Sequence, residues 1–483
     1  MSGIDGVLSG PPILAYPAQK MPPPRAAGLL ALAAQHSFAL YLILLLGGNS
    51  MAASGGPLTW LPLWRLPATG GQWLPVGVVS LLPLLSIAAW LGARALSNGL
   101  RTLAWRPDRV SWPLVVLAGL ALLNILWQCG RGCTIGSAAR LVLVLAQWVW
   151  VYQYVRNERP PLFGIVIVII LIQSAVALTQ FGFQRDLGLR LLGEPPLDPA
   201  IPGISVVMRD GQRWLRGYGL TAHPNVLAGT LVTLLLMLPA LGRPATAVRR
   251  AVMTLALAVG SAALFATLAR WAAVCFALGL AINALPWLRR TWQRQPSSTP
   301  LDGRMWLSLA LTACLLLAVY GDTVVGRAVN LETPVESRSL WERDRDTRLA
   351  LRLVAEHPVT GVGLGQYLPA ARRYDNWAEL VHNVPLWLAA ELGVAAAFVW
   401  LWLLLGPVWR RGAFDRFAPQ TALWLSFWLL GLLQPAPHPL LDLRSALLTG
   451  LVAALLSASV SQDLPDSPPS DNIVRLSKFI RGG

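Results

Sequence analysis

The stretch PLFGIVIVIILIQSAVALTQF, residues 161–181, decides the fold. A helix needs roughly 20 residues to cross about 30 Å of hydrocarbon, and this run supplies them. Its apolar side chains follow one another without the alternation of a membrane strand, so it is read as a helix and not as part of a barrel. Working outward, runs of the same character recur at 27–47, 75–93, 111–129, 139–155, 224–242, 251–268, 271–288, 305–321, 384–406, 420–435 and 443–460. The predicted class is therefore all-α: a polytopic integral membrane protein of about twelve transmembrane helices.

Composition agrees. Over 483 residues 55% are hydrophobic, 13% are charged, and the mean hydropathy is +0.54. A soluble chain of that length needs more charge to cover its surface. The net charge of +16 is almost all arginine, with lysine at Lys20 and Lys478. These arginines stand in short loops between apolar runs, which points to topology and not to nucleic acid.

Threading from a cytoplasmic N-terminus places Arg94, Arg101, Arg106 and Arg109 inside, with Arg156, Arg159, Arg243, Arg249 and Arg250 on the same side. Arg289, Arg290, Arg294, Arg304, Arg410, Arg411 and Arg416 follow them. Both termini are predicted cytoplasmic. The organisation is a segment at 1–26, a transmembrane domain at 27–460, and a tail at 461–483 whose Ser, Pro and Asp predict disorder. Two long loops, 182–223 and 322–383, fall outside. Cys129 and Cys133 flank a short outer loop, where a disulfide is possible in an oxidising compartment.

Three constellations carry candidate chemistry. Arg270 stands between two apolar runs with almost no loop; it either faces a cavity or caps a tight hairpin beside Trp271. Arg216-Gly-Tyr-Gly219, followed by His223-Pro-Asn225, suits either a phosphate held by a forked guanidinium or an ordinary re-entry turn. Gly361-Val-Gly-Leu-Gly365 precedes His382-Asn383 and Glu391-Leu-Gly393. It fails as a dinucleotide fingerprint because Gln366 replaces the last glycine and no strand precedes it. His382 is either a base for a hydroxyl proton or a satisfied interfacial histidine. Glu391, two turns inside the membrane, wants a partner such as an arginine.

Ser339 to Glu356 reads as an amphipathic helix along the membrane surface. Leu340, Trp341, Leu349, Leu353 and Val354 form its apolar face, and Arg338, Arg345, Arg348 and Arg352 lie near one stripe. No zinc spacing, HExxH or Gly-x-Ser-x-Gly elbow is present. All three constellations fall on the outer face. Arginines suit a diphosphate and a histidine suits an alcohol.

In this order the motifs resemble the O-antigen ligase and polymerase superfamily, bacterial membrane glycosyltransferases that use undecaprenyl-diphosphate-linked glycans. The resemblance runs over roughly residues 170–410. It takes in Gln180, Arg216-Gly-x-Gly, Asn225, Arg270, the stretch from Arg338 to Tyr367, His382-Asn383 and Glu391-Leu-Gly393. Ala269 departs from it, since the family often has Ser before the intramembrane arginine. His438-Pro-Leu-Leu-Asp442 is similar to a segment of protein O-oligosaccharyltransferases, which keeps that alternative open.

The resemblance implies an inner-membrane enzyme with an undecaprenyl-diphosphate glycan donor and a glycan or lipid A-core acceptor. It implies no metal, cofactor or nucleic acid. Arg216 and Arg270 would hold the diphosphate, and His382 would be the general base of an inverting displacement. Arg338, Arg348, Asn225, Asn383 and Glu391 complete the implied substrate-binding set. A transporter, with arginines lining a path, is the competing class.

Overall fold

The computed structural model describes residues 25–47, 64–67, 73–76, 81–97, 112–128, 135–209, 211–293, 299–329, 334–409, 412–433, 440 and 443–461. The expectations for Cys129, Cys133, His438, Asp442, the first 24 residues and the tail from residue 462 lie outside these, as do Arg101, Arg106, Arg109, Arg294, Arg410 and Arg411.

The described chain is helical apart from two short hairpins. In order come α1 (Arg25–Gly47), β1 (Trp64–Pro67), β2 (Trp73–Val76), α2 (Leu81–Leu96), α3 (Trp112–Gln128), α4 (Ile135–Glu158) and α5 (Leu162–Phe183). After β3 (Val206–Arg209) and β4 (Gln212–Leu215) come α6 (Pro224–Ala240), α7 (Ala247–Ala266), α8 (Arg270–Trp292) and α9 (Gly303–Val329). The rest is α10 (Pro334–Glu356), α11 (Tyr367–Ala371), α12 (Val384–Leu392), α13 (Val394–Leu405), α14 (Ala418–Leu433) and α15 (Leu443–Ser461). β1 pairs antiparallel with β2, and β3 with β4.

Every apolar run of the sequence overlaps a helix. Among the described residues, five helical stretches are long and apolar enough to cross a membrane: Arg25–Leu46, Leu162–Phe183, Ala247–Ala266, Arg270–Trp292 and Gly303–Asp322. One run departs from expectation. The span predicted at 384–406 breaks at Gly393, whose φ of 90° and ψ of 167° no continuous helix can hold.

α6 is the central post. It is apolar all round, and Leu231, Val232, Leu234, Leu235, Leu236, Met237 and Leu238 are all buried, as expected of a helix walled in on every side. α5, α7, α8 and α14 pack around it. Between lipid and protein little hydrophobic energy is gained, so close packing holds these helices together. Interhelical hydrogen bonds add to it, such as Ser426 Oγ donating to the Cys275 carbonyl at 2.8 Å.

At the end where α5 begins, Arg94 and Glu158 form an ion pair at 2.6 Å, and Trp90 Nε1 donates to the same carboxylate at 2.8 Å. The first turns of α6, α8 and α12 open from the other end, where α5 and α7 finish. That end carries the candidate site.

Candidate functional site

Irregular backbone at membrane depth must find its hydrogen bonds inside the protein. Between β4 and α6 it finds them on α5. Gln173 and Gln180 lie seven residues apart, hence on one helix face, and both are fully buried. Gln173 Oε1 accepts from Leu220 N at 2.9 Å, and Gln180 Oε1 from Tyr218 N at 3.1 Å. Gln180 Nε2 donates to the Gly219 carbonyl at 3.0 Å and to the buried Glu194 at 2.7 Å. The two amides seat residues 217–220 and so fix Arg216.

Arg216 is 4% exposed. Its Nε donates to the Thr267 carbonyl at 2.6 Å, one terminal nitrogen to Ser205 Oγ at 2.7 Å, and the other to Asn225 Oδ1 at 2.8 Å. Burying a guanidinium is costly unless its donors are satisfied. These three acceptors are neutral, so they position the charge without cancelling it. Asn225 therefore touches Arg216 directly.

Thr267 belongs to the tight turn between α7 and α8. Leu268 has φ of 50°, the left-handed region, at a cost of about 1–2 kcal/mol. That turn brings the Thr267 carbonyl to Arg216 and sets Arg270, exposed, as the first residue of α8. The hairpin is tight, as one reading of Arg270 had it, and its Thr267 carbonyl accepts from Arg216. Ala269 caps α8 without a side-chain bond; Thr267 Oγ1 accepts from its amide at 3.3 Å.

The last constellation folds as a single unit. Gly361 (φ 64°), Gly363 and Gly365 form a left-handed loop against the break at Gly393. A Cβ on Gly361 would strike the Glu391 carbonyl, and one on Gly393 the Val359 carbonyl. Glu391 is 1% exposed. Its carboxylate accepts from Gly365 N at 2.8 Å, Tyr367 N at 3.2 Å and Trp387 Nε1 at 3.0 Å. In these contacts the carboxylate gathers backbone and indole N–H groups, and so holds the loop. Asn383 is the N-cap of α12, accepting from Leu386 N at 2.8 Å. That cap orients the residue before it, His382.

α10 is helical as expected, but its packed face differs. Asp346, Ala350 and Leu353 are buried, and Ala350 and Leu353 join a small core with Tyr367, Val381 and Trp387, while Leu340 and Trp341 are 41% and 58% exposed. Arg338 and Arg348 point outward, in one-turn ion pairs with Glu342 and Asp344 respectively. Arg343, which the stripe pattern passes over, lies a turn before Asp346 on the packed side. The three-to-four spacing of 343, 346, 350 and 353 was the available signal.

Electrostatics tie these pieces together. His223 is the N-cap of α6; its Nδ1 accepts from Asn225 N at 3.1 Å, and Tyr218 meets its ring edge-on at 6.3 Å. Burial, then Arg216, His382 and Arg343, push its pKa from 6.5 down to about 3. Burial and Arg343 push His382 down to about 4, opposed by the Leu380 backbone and Glu342. Its Nδ1 is buried with no hydrogen-bond partner among the described residues. Arg216, Arg343 and His382 all act on His223, so four residues from three segments share one neighbourhood of fixed positive charge and neutral imidazole. Such a place suits an anion beside a hydroxyl.

Residues 255–401 match the family model described as O-Antigen ligase. Over that stretch the chain is similar to the O-antigen ligase/polymerase superfamily. No curated protein matches it in sequence. The matched stretch of this O-antigen ligase relative contains Arg270, Arg343, His382 and Glu391, but Arg216, His223 and Asn225 precede it. Geometry joins the two sets: Thr267, inside the match, holds Arg216, outside it. The family implies a glycosyltransferase of the ligase or polymerase kind, in a membrane and acting on lipid-linked glycans. Among the described residues no three His, Cys, Asp or Glu side chains gather as a metal site.

Proposed function

We propose that this protein transfers a glycan from an undecaprenyl-diphosphate carrier to an acceptor hydroxyl at the periplasmic face of a bacterial inner membrane. Both termini are cytoplasmic, and about twelve helices carry the chain across. Arg216 and Arg270, joined by Arg343, hold the diphosphate and stabilise the charge that gathers on it as it departs. Such fixed electrostatic stabilisation is usually a large catalytic contribution. His382 takes the acceptor proton as the hydroxyl oxygen bonds to the anomeric carbon and the carbon–oxygen bond to phosphate breaks. Attack opposite the departing group inverts that carbon.

The single observation that carries this reading is the shared neighbourhood of Arg216, Arg343 and His382. Asn225 and Asn383 position Arg216 and His382, Glu391 holds the adjoining loop, and Arg338 and Arg348 lie on the exposed face of α10. The acceptor is lipid A-core for a ligase or a growing glycan for a polymerase.

The test is transfer from a purified undecaprenyl-diphosphate glycan in detergent or nanodiscs. His382→Ala should abolish product while leaving the thermal midpoint unchanged. Full transfer by that variant would remove the base assignment, and residues 322–383 labelled from the cytoplasm would remove the sidedness.

A further inference from the structure

We propose that His223 is a second working imidazole of this site, a neutral Nε2–H donor to the diphosphate whose tautomer is fixed by the cap of α6. The proposal rests on the reading above and deepens it. The decisive contact is Asn225 N donating to His223 Nδ1 at 3.1 Å. A neutral imidazole has one donor and one acceptor nitrogen. With Nδ1 accepting, the ring proton must sit on Nε2. No described residue takes that proton.

The same contact opposes the charged form. To become an imidazolium, His223 would have to place a proton on Nδ1, facing a backbone N–H, and the cap would break. Asn225 then doubles the effect, because its amide locks the histidine while its side chain accepts from Arg216 at 2.8 Å. One asparagine thus orients both groups. The charged and titratable groups acting on the ring are Arg216 after β4, Arg343 on α10 and His382 before α12. All of them disfavour a further positive charge on His223, consistent with its depressed pKa of about 3.

The two histidines therefore differ in kind. His382 is free of such a cap, so an arriving diphosphate can raise its proton affinity. His223 cannot follow without unfolding the first turn of α6. One histidine can accept a proton during the reaction, and the other keeps its proton and offers it as a hydrogen bond. A neutral imidazole at a helix N-terminus is a known way to polarise an oxygen without proton transfer.

The chain has five histidines, so ring 15N signals of histidine-labelled protein in nanodiscs can be assigned by single substitutions. His223 should show the Nε2–H tautomer, unprotonated over roughly pH 5 to 8, and inorganic pyrophosphate should shift its Nε2 signal. An Nδ1–H tautomer, protonation near neutrality, or an unmoved signal at saturating pyrophosphate would overturn the proposal.

Transfer assays add a second arm. His223→Asn keeps an oxygen to cap α6 but loses the reach of Nε2. His223→Gln keeps a donor near Nε2 and weakens the cap. The expected order is a fall in kcat of about 100-fold for His223→Asn at an unchanged thermal midpoint, with His223→Gln more active despite a lower one. The reverse order would reduce His223 to a cap. If wild-type protein transfers nothing from the lipid-linked donor, the function proposed above fails, and the pyrophosphate shift still decides His223.

Discussion

Two arginine-bearing regions of this protein look alike on paper and differ in structure. Arg216, ahead of α6, is buried among neutral acceptors: a carbonyl, a hydroxyl and an amide oxygen. Arg338 and Arg348, on α10, are exposed and each is matched by a carboxylate one turn away. The first arrangement fixes a buried guanidinium in one orientation through oxygens of the surrounding fold. The second cancels charge locally in water, where ion pairs contribute little. What an arginine is for depends on its acceptors.

The sharpest way to break that comparison is to shorten the buried arginine. Arg216→Ala removes a fixed charge and leaves the Thr267 carbonyl, Ser205 Oγ and Asn225 Oδ1 without their donor. The expected loss of transfer is about 100- to 1000-fold, the scale of removing one preorganised stabilising donor. Arg216→Lys should recover only part of it, since an ammonium cannot reach three acceptors in a plane. Full activity in Arg216→Lys would show that charge alone suffices there.

Next in size are changes to the loop behind His382. Gly393→Ala sets a Cβ against the Val359 carbonyl at a left-handed φ. The expected outcome is loss of folded protein, read as loss of a monodisperse peak in detergent. Glu391→Gln keeps one oxygen acceptor but loses the charge that the Gly365 and Tyr367 amides address. A cost of about 1–3 kcal/mol is expected, read as a lower thermal midpoint. A midpoint unchanged by Glu391→Gln, together with weaker donor binding, would move Glu391 from holding the loop to touching substrate.

How much of this was legible in sequence follows from the same residues. The helices were, because continuous apolar runs have few other solutions in a membrane. The pairing of Gly361-x-Gly-x-Gly365 with Glu391-Leu-Gly393 was not. Spacing cannot tell that the Glu391 carboxylate will accept from the amides of Gly365 and Tyr367, nor that Gly393 will break a helix apolar on both sides. Arg216, Arg270 and His382 were legible as candidates. Arg343 was hidden among neighbouring charges, where only the phase of the buried face separates it from Arg338 and Arg348.

The pH dependence sharpens the contrast between fixed and labile groups. In the folded protein His382 is held down near pKa 4, below the ordinary 6.5. Between those values the unfolded chain binds the extra proton, so this group's contribution to stability is complete above pH 6.5 and is lost as pH falls toward 4. Catalysis should show a second effect. Free enzyme governs kcat/KM and the bound complex governs kcat. A bound diphosphate offsets Arg343, so the acid limb of kcat should stand at higher pH than that of kcat/KM. Coincident limbs would mean that the diphosphate does not lie beside His382.

The smallest effect belongs to the exposed stripe. Arg338 and Arg348 each face solvent beside their own carboxylates, and neither is among the groups acting on His223 or His382. Arg338→Ala and Arg348→Ala should change transfer by about twofold, as expected for exposed ion pairs, and added salt should shrink even that difference. A donor KM raised in either variant would extend the diphosphate site onto α10. A raised acceptor KM with donor KM unchanged would instead assign the stripe to an anionic acceptor. Both outcomes are measurable in one two-substrate assay, and both keep Arg216 as the reference. Arg216 is buried, so its contribution should survive the salt that erases theirs.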